Sequence, residues 1–240
     1  MTRITATALA LCLGTTSVMA EDLSRAEMQA LVLDTIRANP EIVMEAIEAL
    51  QAREQQAQAM QARAVLTANK DALERDPNAA VFGNPDGDVT IVEFFDYNCG
   101  YCRRAFNDVK ALVAADPNVR VVMREWPILG EASVFAARAS LASRNQGKYQ
   151  AFHVALMEHE GRASEAAVME IAQSLGMDTE QLRVDMEAPE VTAHIQTSQQ
   201  LTQALGLNGT PAFVVGSELV PGAIELDQMQ ALVEQAREAG

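Results

Sequence analysis

Cys99-Gly100-Tyr101-Cys102 is the stretch whose residue types and spacing bear most directly on chemistry. Two cysteines separated by two residues form a dithiol that can close into a disulfide. The apolar run Val89–Phe95 just before them predicts a strand, and residues 100–115 predict a helix. Cys99 then stands at a helix N-terminus, where unpaired backbone N–H groups and the helix dipole favour an anion. The thiolate is the nucleophile of disulfide exchange, so this exposed helix start makes Cys99 the attacking or attacked sulfur. Cys102, one turn further in, is shielded and resolves a mixed disulfide by attacking it. Arg103 and Arg104 follow at once and add positive charge nearby. Tyr101 either contacts a client or covers the disulfide.

Glu93 interrupts a run that should be buried. A lone buried carboxylate is costly and its pKa rises; the alternative is an edge-facing, solvated glutamate. Thr210-Pro211 precedes the apolar run Ala212–Val215. Proline tolerates a cis peptide bond at small cost, and the alternative here is an ordinary proline at a strand start. Metal is the rival chemistry. A Cys-x-x-Cys pair is half of a zinc site, but the second pair is absent. His153, His159 and His194 fall in a helical block and read more naturally as packing or surface residues. Copper(I) suits soft thiolates, so Cys99 and Cys102 as copper(I) ligands form an alternative reading. The methionines show no tight cluster and read as core residues.

The chain has 240 residues, 33 acidic against 18 basic, and a formal net charge of −15. That balance argues against nucleic acid or an anionic membrane as partner. Residues 1–20 read as an export signal: Arg3, an apolar stretch from Ile4 to Leu13, and Val18-Met19-Ala20 for cleavage after Ala20. The apolar stretch is too short for a bilayer span. Cys12 lies inside it, after Leu11 rather than a small residue, and is lost with the signal. The exported chain then keeps only Cys99 and Cys102 in an oxidising compartment, so cysteine serves reactivity and not stapling.

Residues 21–76 read as a helical stalk. Ser24-Arg25-Ala26-Glu27 has capping-box spacing. Met28, Leu31, Val32 and Ile36 make one apolar face, Asn39-Pro40-Glu41 restarts the helix, and Val43, Ala46, Ile47 and Leu50 continue the stripe. A Gln/Ala-rich stretch, Gln51–Ala64, follows. A helix from Pro40 to about Arg75 would be about 50 Å long. Such a helix has no core of its own and must pack on the rest of the chain or on copies of itself; apolar residues clustered at its N-terminal end favour self-association, although no sustained heptad is present. The next expectations are a strand at 119–123, helices between about 129 and 207, a hairpin of Ala212–Val215 and Glu218–Val220 across Gly216-Ser217, and a closing helix at 226–239. The catalytic core is expected to be complete from Val81 onward.

That order, with the dithiol after the first central strand and Thr210-Pro211 before the third, resembles the thioredoxin fold with a helical insertion, an α/β class. Three motifs carry the likeness: Val92–Cys102, Pro127-Ile128-Leu129-Gly130 and Gly209–Gly216. Over about residues 80–240 the chain resembles the DsbA family of periplasmic thiol–disulfide oxidoreductases. Within it the nearest likeness is to ScsC-like proteins, associated with copper tolerance, which can carry an N-terminal oligomerising helix. Gly100-Tyr101 and the Thr before the proline are also those of the disulfide isomerase DsbC. The oxidase DsbA has Pro-His between its cysteines, so this dipeptide speaks against strong oxidase activity. The resemblance implies a cis bond before Pro211 that sets the Thr210 backbone against the dithiol, free to pair with a client. It also implies that Glu93 assists proton transfer at the buried cysteine. It implies no cofactor. The expected partners are unfolded or misoxidised exported proteins, a membrane thiol reductase as electron donor, and further copies of the chain, a trimer ahead of a dimer. The expected activity is disulfide isomerase or reductase, with a DsbA-type dithiol oxidase as one alternative and a copper(I)-binding or chaperone-like copper-tolerance protein as another.

Overall fold

The computed structural model describes residues 24–239. The expected export signal at 1–20 and Cys12 lie outside them. The described chain falls into two units, one ending at Gln55 and one beginning at Gln56.

The first unit holds helix α1 (Arg25–Ala38) and the first half of α2 (Glu41–Ala68). The capping box forms: the Ser24 hydroxyl accepts from the Glu27 N–H, and the Glu27 carboxylate accepts from the Ser24 N–H. Asn39 does not cap α2 as its spacing suggested. Its backbone and side-chain N–H groups both donate to the Thr35 carbonyl and close the end of α1. No side chain of α1 is buried. Leu31 stays 59% exposed and Leu50 57%, so the apolar face has no cover within one copy.

The second unit is built on a five-stranded sheet in the order β1-β3-β2-β4-β5 (Ala80–Gly83, Val119–Glu125, Val89–Phe95, Ala212–Val215, Glu218–Pro221). The β-branched and aromatic run of β2 takes the centre, parallel to β3 and antiparallel to β4. β1 and β5 pair antiparallel at the two edges. β1 was not anticipated. It is four residues long and only its first is fully buried, so it carries neither alternation nor a continuous apolar run. Helix α4 (Gly100–Ala115) links β2 to β3. Between β3 and β4 lie α5 (Glu131–Ala142), a short 3-10 turn, α6 (Tyr149–Glu158), α7 (Glu165–Ser174), α8 (Thr179–Asp185) and α9 (Pro189–Ala204). α10 (Leu226–Ala239) closes the chain.

The period of two along β2 divides the core. Ile91 and Phe95 join the cluster that α4, α6 and α10 cover with Phe106, Phe152 and Met229. Val92 and Phe94 face the other way, into a cluster with Val122, Val214, Leu201, Leu66 and Leu73. Leu66 comes from the end of α2 and Leu73 from the short helix α3 (Lys70–Glu74). Residues 56–76 thus belong to the second unit and cover one face of its sheet. The expectation of a core complete from Val81 gives way to one that needs this segment. The reason is that a central strand apolar on both faces needs a layer on each.

Asp76, which the sequence marked only as a stop after the helix, sits in a buried polar cluster of that unit. Its carboxylate pairs with Arg124 Nη1 at 2.6 Å and lies 3.7 Å from His194 Nδ1. His194 Nε2 reaches Glu125 at 2.8 Å, and Glu125 accepts from the Tyr149 hydroxyl at 2.7 Å. Burial alone would push the imidazole down. The Asp76 and Glu125 carboxylates more than offset that and hold the His194 pKa above its ordinary value.

Candidate active site

Strand β2 ends at Phe95, and the turn Asp96-Tyr97-Asn98 delivers Cys99 to the start of α4. That turn is held on several sides. Asp96 accepts from the N–H groups of Asn98, Ile128 and Leu129, which ties the Pro127–Gly130 loop to it. The Tyr97 hydroxyl pairs with Ser140 on α5 and His153 on α6. Asn98 bridges Ser133 and the Ala163 N–H.

Cys99 takes the N-cap position of α4, with φ −83° and ψ 114°. Both cysteines are unpaired thiols. Cys99 is only 7% exposed, less than an open helix start implies, because the loop before β4 covers it. The Thr210–Pro211 peptide is cis, and the Thr210 carbonyl accepts from the Cys99 thiol at 3.3 Å. The Cys99 pKa is lowered to about 5. The Cys102 thiol contributes most by donating to the sulfur, followed by Thr210 and the N–H groups of Cys102 and Tyr101 at the helix start, against an opposing effect of burial. Cys102 is fully buried. Burial pushes its thiol far up, and the nearby Cys99 and Glu93 push it further.

Glu93 is fully buried on the central strand, beside Met123 of β3 and Phe213 of β4. Both carboxylate oxygens lack a partner, which excludes the solvated alternative. Burial, with the Cys99 charge second, raises its pKa to about 8. Tyr101 stands 63% exposed, with the Arg104 guanidinium 4.4 Å from its ring centroid. A Cβ on Gly100 would meet nothing nearer than Arg104 Nη1 at 3.9 Å, so packing does not demand glycine there.

The structure therefore brings Cys99, Cys102, Thr210 and Pro211 together and sets Glu93 close enough to act on both sulfurs. It does not bring the three histidines there. His153 sits in an aromatic cage of Phe95, Tyr97, Phe106 and Tyr149, and burial lowers its pKa to about 4. His194 belongs to the Asp76 cluster. His159 lies in the loop after α6 and presents its carbonyl to Arg103. No group of three or more His, Cys, Asp or Glu side chains converges on a metal position among the described residues. A copper(I) site at the dithiol would need both sulfurs as thiolates, a form that burial disfavours for Cys102. Sequence reasoning missed the splint around the nucleophile. Asp96, Asn98 and Arg103 stood in plain view there, but nothing local tells which distant loops they reach.

Comparison with known proteins agrees with this geometry. The family described as DSBA-like thioredoxin domain matches residues 90–234, and the Copper resistance protein ScsC N-terminal domain matches residues 25–57. A thioredoxin-like oxidoreductase from Silicibacter pomeroyi DSS-3 is 64% identical, with 72% of this chain and 99% of that one covered and a TM-score of 0.71. ScsC of Proteus mirabilis in a transitional conformation is 32% identical, with 90% and 97% covered and a TM-score of 0.68. BcfH of Salmonella enterica Typhimurium is 27% identical, with 88% and 95% covered and a TM-score of 0.72. Curated relatives include the Na(+)/H(+) antiporter NhaA of Herminiimonas arsenicoxydans, 28% identical over 158 residues. The chain spans about a quarter of the length of the curated relatives it matches first. Among the described residues no helix is long and apolar enough to cross a membrane. The sheet, the helical insertion, the cis-proline loop and the dithiol agree with the match over residues 90–234, and the chain belongs to the DSBA-like thioredoxin domain family.

Proposed function

We propose that this protein is a periplasmic thiol–disulfide oxidoreductase that reshuffles or reduces disulfides in unfolded or misoxidised exported proteins. The observation that carries the reading is the contrast between two thiols three residues, about one helical turn, apart. Cys99 ionises readily, its sulfur accepting from the Cys102 thiol and from the N–H groups of the helix start, while Cys102 stays protonated behind it. A stabilised thiolate favours the reduced dithiol over the disulfide, and an isomerase must begin reduced.

In the first step the Cys99 thiolate attacks one sulfur of a client disulfide, and the other client sulfur leaves as a thiolate. The resulting mixed disulfide has two exits. A second client thiolate can attack the client sulfur, which forms a new client disulfide and frees Cys99 with no net redox change. Alternatively Cys102 gives its proton to the Glu93 carboxylate and attacks Cys99, which releases the client reduced and leaves a Cys99–Cys102 disulfide. Two electrons from a membrane thiol reductase then restore the dithiol. A carboxylate with its pKa near 8 is a stronger base than an ordinary glutamate and suits a proton transfer near neutral pH. The main chain at Thr210, next to the sulfur, is placed to pair with an extended client segment, and the exposed Tyr101 ring offers it an apolar contact.

The uncovered apolar residues of α1 and α2, together with the ScsC-type match over 25–57, support assembly of several copies through this segment, a trimer ahead of a dimer. The reading of residues 1–20 as an export signal and a 30% identical periplasmic thioredoxin-like protein from Salmonella enterica serovar Typhimurium support the compartment. Rapid acid quenching of cells, followed by alkylation of free thiols, tests the direction. A dithiol found mostly reduced agrees with isomerase or reductase; one found mostly oxidised assigns the protein to dithiol oxidation.

A further inference from the structure

Arg103 follows the buried cysteine, yet its guanidinium pairs with no carboxylate. It is spent on main-chain carbonyls instead. Nε donates to Tyr97 O at 2.8 Å, and Nη1 donates to His159 O at 2.9 Å and Gly161 O at 2.6 Å. Tyr97 lies just past the end of β2, and His159 and Gly161 lie in the loop between α6 and α7, so these acceptors stand outside the strand and helix ladders. One side chain therefore joins the turn that carries Cys99 to a loop some sixty residues away in sequence. Asn98 makes a parallel tie through the Ala163 N–H at 2.8 Å.

The charge on this side chain is left over. Nη2 is buried and has no partner, and no Asp or Glu among the described residues approaches within ion-pair distance. Burial lowers the Arg103 pKa, and the anions facing it are Asp96 and Cys99. An arginine keeps its proton even so. Arg104 does not share this place, because it turns outward onto the Tyr101 ring. The other groups that act on the Cys99 sulfur are the Cys102 thiol, Thr210, the N–H groups of the helix start and the acid Glu93. Glu93, once ionised, opposes negative charge on sulfur, which leaves Arg103 as the fixed cation working against it.

The structure assigns to Arg103 the part of a positioning residue, one that locks the Cys99 turn to the α6–α7 loop and favours the dithiol over the disulfide with its unpaired cation. The argument is electrostatic. The reduced site carries an anionic sulfur and the disulfide carries none, so a nearby immobile cation stabilises only the reduced form. The inference rests on the proposed thiol–disulfide exchange at Cys99 and adds the residue that sets its equilibrium.

Equilibration with glutathione tests it. In that reaction the Cys99–Cys102 disulfide and two glutathione thiols give the protein dithiol and one glutathione disulfide. At a fixed glutathione ratio, Arg103→Met should lower the proportion of dithiol to disulfide about tenfold, as loss of one neighbouring opposite charge implies. Arg103→Lys keeps the charge and should recover most of that loss, although it cannot hold all three carbonyls. A ratio unchanged in Arg103→Met, even with a lower melting temperature, would make the side chain a structural tie and overturn the assignment. Where Arg103→Met does not fold, the wild-type protein answers. The Arg103 Nε–H resonance should move as Cys99 ionises and stay fixed over the same pH range in Cys99→Ser. A resonance that ignores Cys99 contradicts the inference. Absence of any exchange between wild-type protein and glutathione strikes the proposed function; normal exchange with an indifferent Arg103 strikes this inference alone.

Discussion

Two thiols of the same type, three residues apart, differ here because one lies where a helix starts and the other where the core begins. Cys99→Ser should abolish exchange. Cys102→Ser should instead accumulate mixed disulfides with clients, seen as adducts on non-reducing gels, because attack continues while resolution stops. Glu93 is a cost that the fold bears for chemistry. Its pKa is raised to about 8 from an ordinary value near 4.5, so the carboxylate destabilises the folded state increasingly as pH climbs from the unfolded value toward the folded one. Glu93→Gln should therefore leave stability almost unchanged below the ordinary carboxylate range. Near pH 8 it should raise stability by an amount on the order of a few kcal/mol. The same variant should slow turnover near neutral pH and flatten its pH profile. Equal melting temperatures for the two proteins across that pH range would contradict the assignment of an unpaired acid.

At the scale of elements, β2 and α4 were legible in the sequence because their signals are local. Val89–Phe95 is a continuous apolar run, and residues 100–115 carry helical spacing from the dithiol onward. The cis-proline loop was legible only through its likeness to the DsbA family, since Thr210-Pro211 alone does not say which sulfur it covers. β1 escaped because a short, half-buried edge strand has no periodicity to detect. The role of the segment 56–76 escaped for a different reason. Leu66 and Leu73 look like the fading end of a stalk until the sheet face beneath them is known. Removal of residues 21–55 should leave a folded second unit. Removal of 21–76 should not, because it uncovers Val92, Phe94 and Val122 and strips Arg124 of Asp76. Each lost leucine contact costs about 2–5 kcal/mol, and thermal melts of the two truncations should separate them clearly. Asp76→Asn alone should cost about 3–5 kcal/mol by leaving a buried guanidinium unpaired.

For the whole molecule, pH and assembly are the two global variables. The His194 pKa is raised in the folded state. Its contribution to stability is present in full below the ordinary imidazole value and is lost as pH rises through the folded one. A melt series should thus show a decline above the ordinary imidazole value that is shallower in His194→Gln, which should melt lower than the wild type at the acid end of the range. The apolar face on α1 and α2 predicts a concentration-dependent mass. Light scattering at tens of micromolar should give a multiple of the chain mass for the full protein and a monomer after removal of residues 21–55. The monomer should keep simple dithiol oxidation and lose efficiency on scrambled clients, since several Cys99 sites around one client favour repeated attack. The central claim is that a reduced Cys99 reshuffles disulfides, and reactivation of a fully oxidised, scrambled test protein measures it directly. Full-length reduced protein should restore activity well above a glutathione background and Cys99→Ser should not; reactivation no faster than that background would contradict the account.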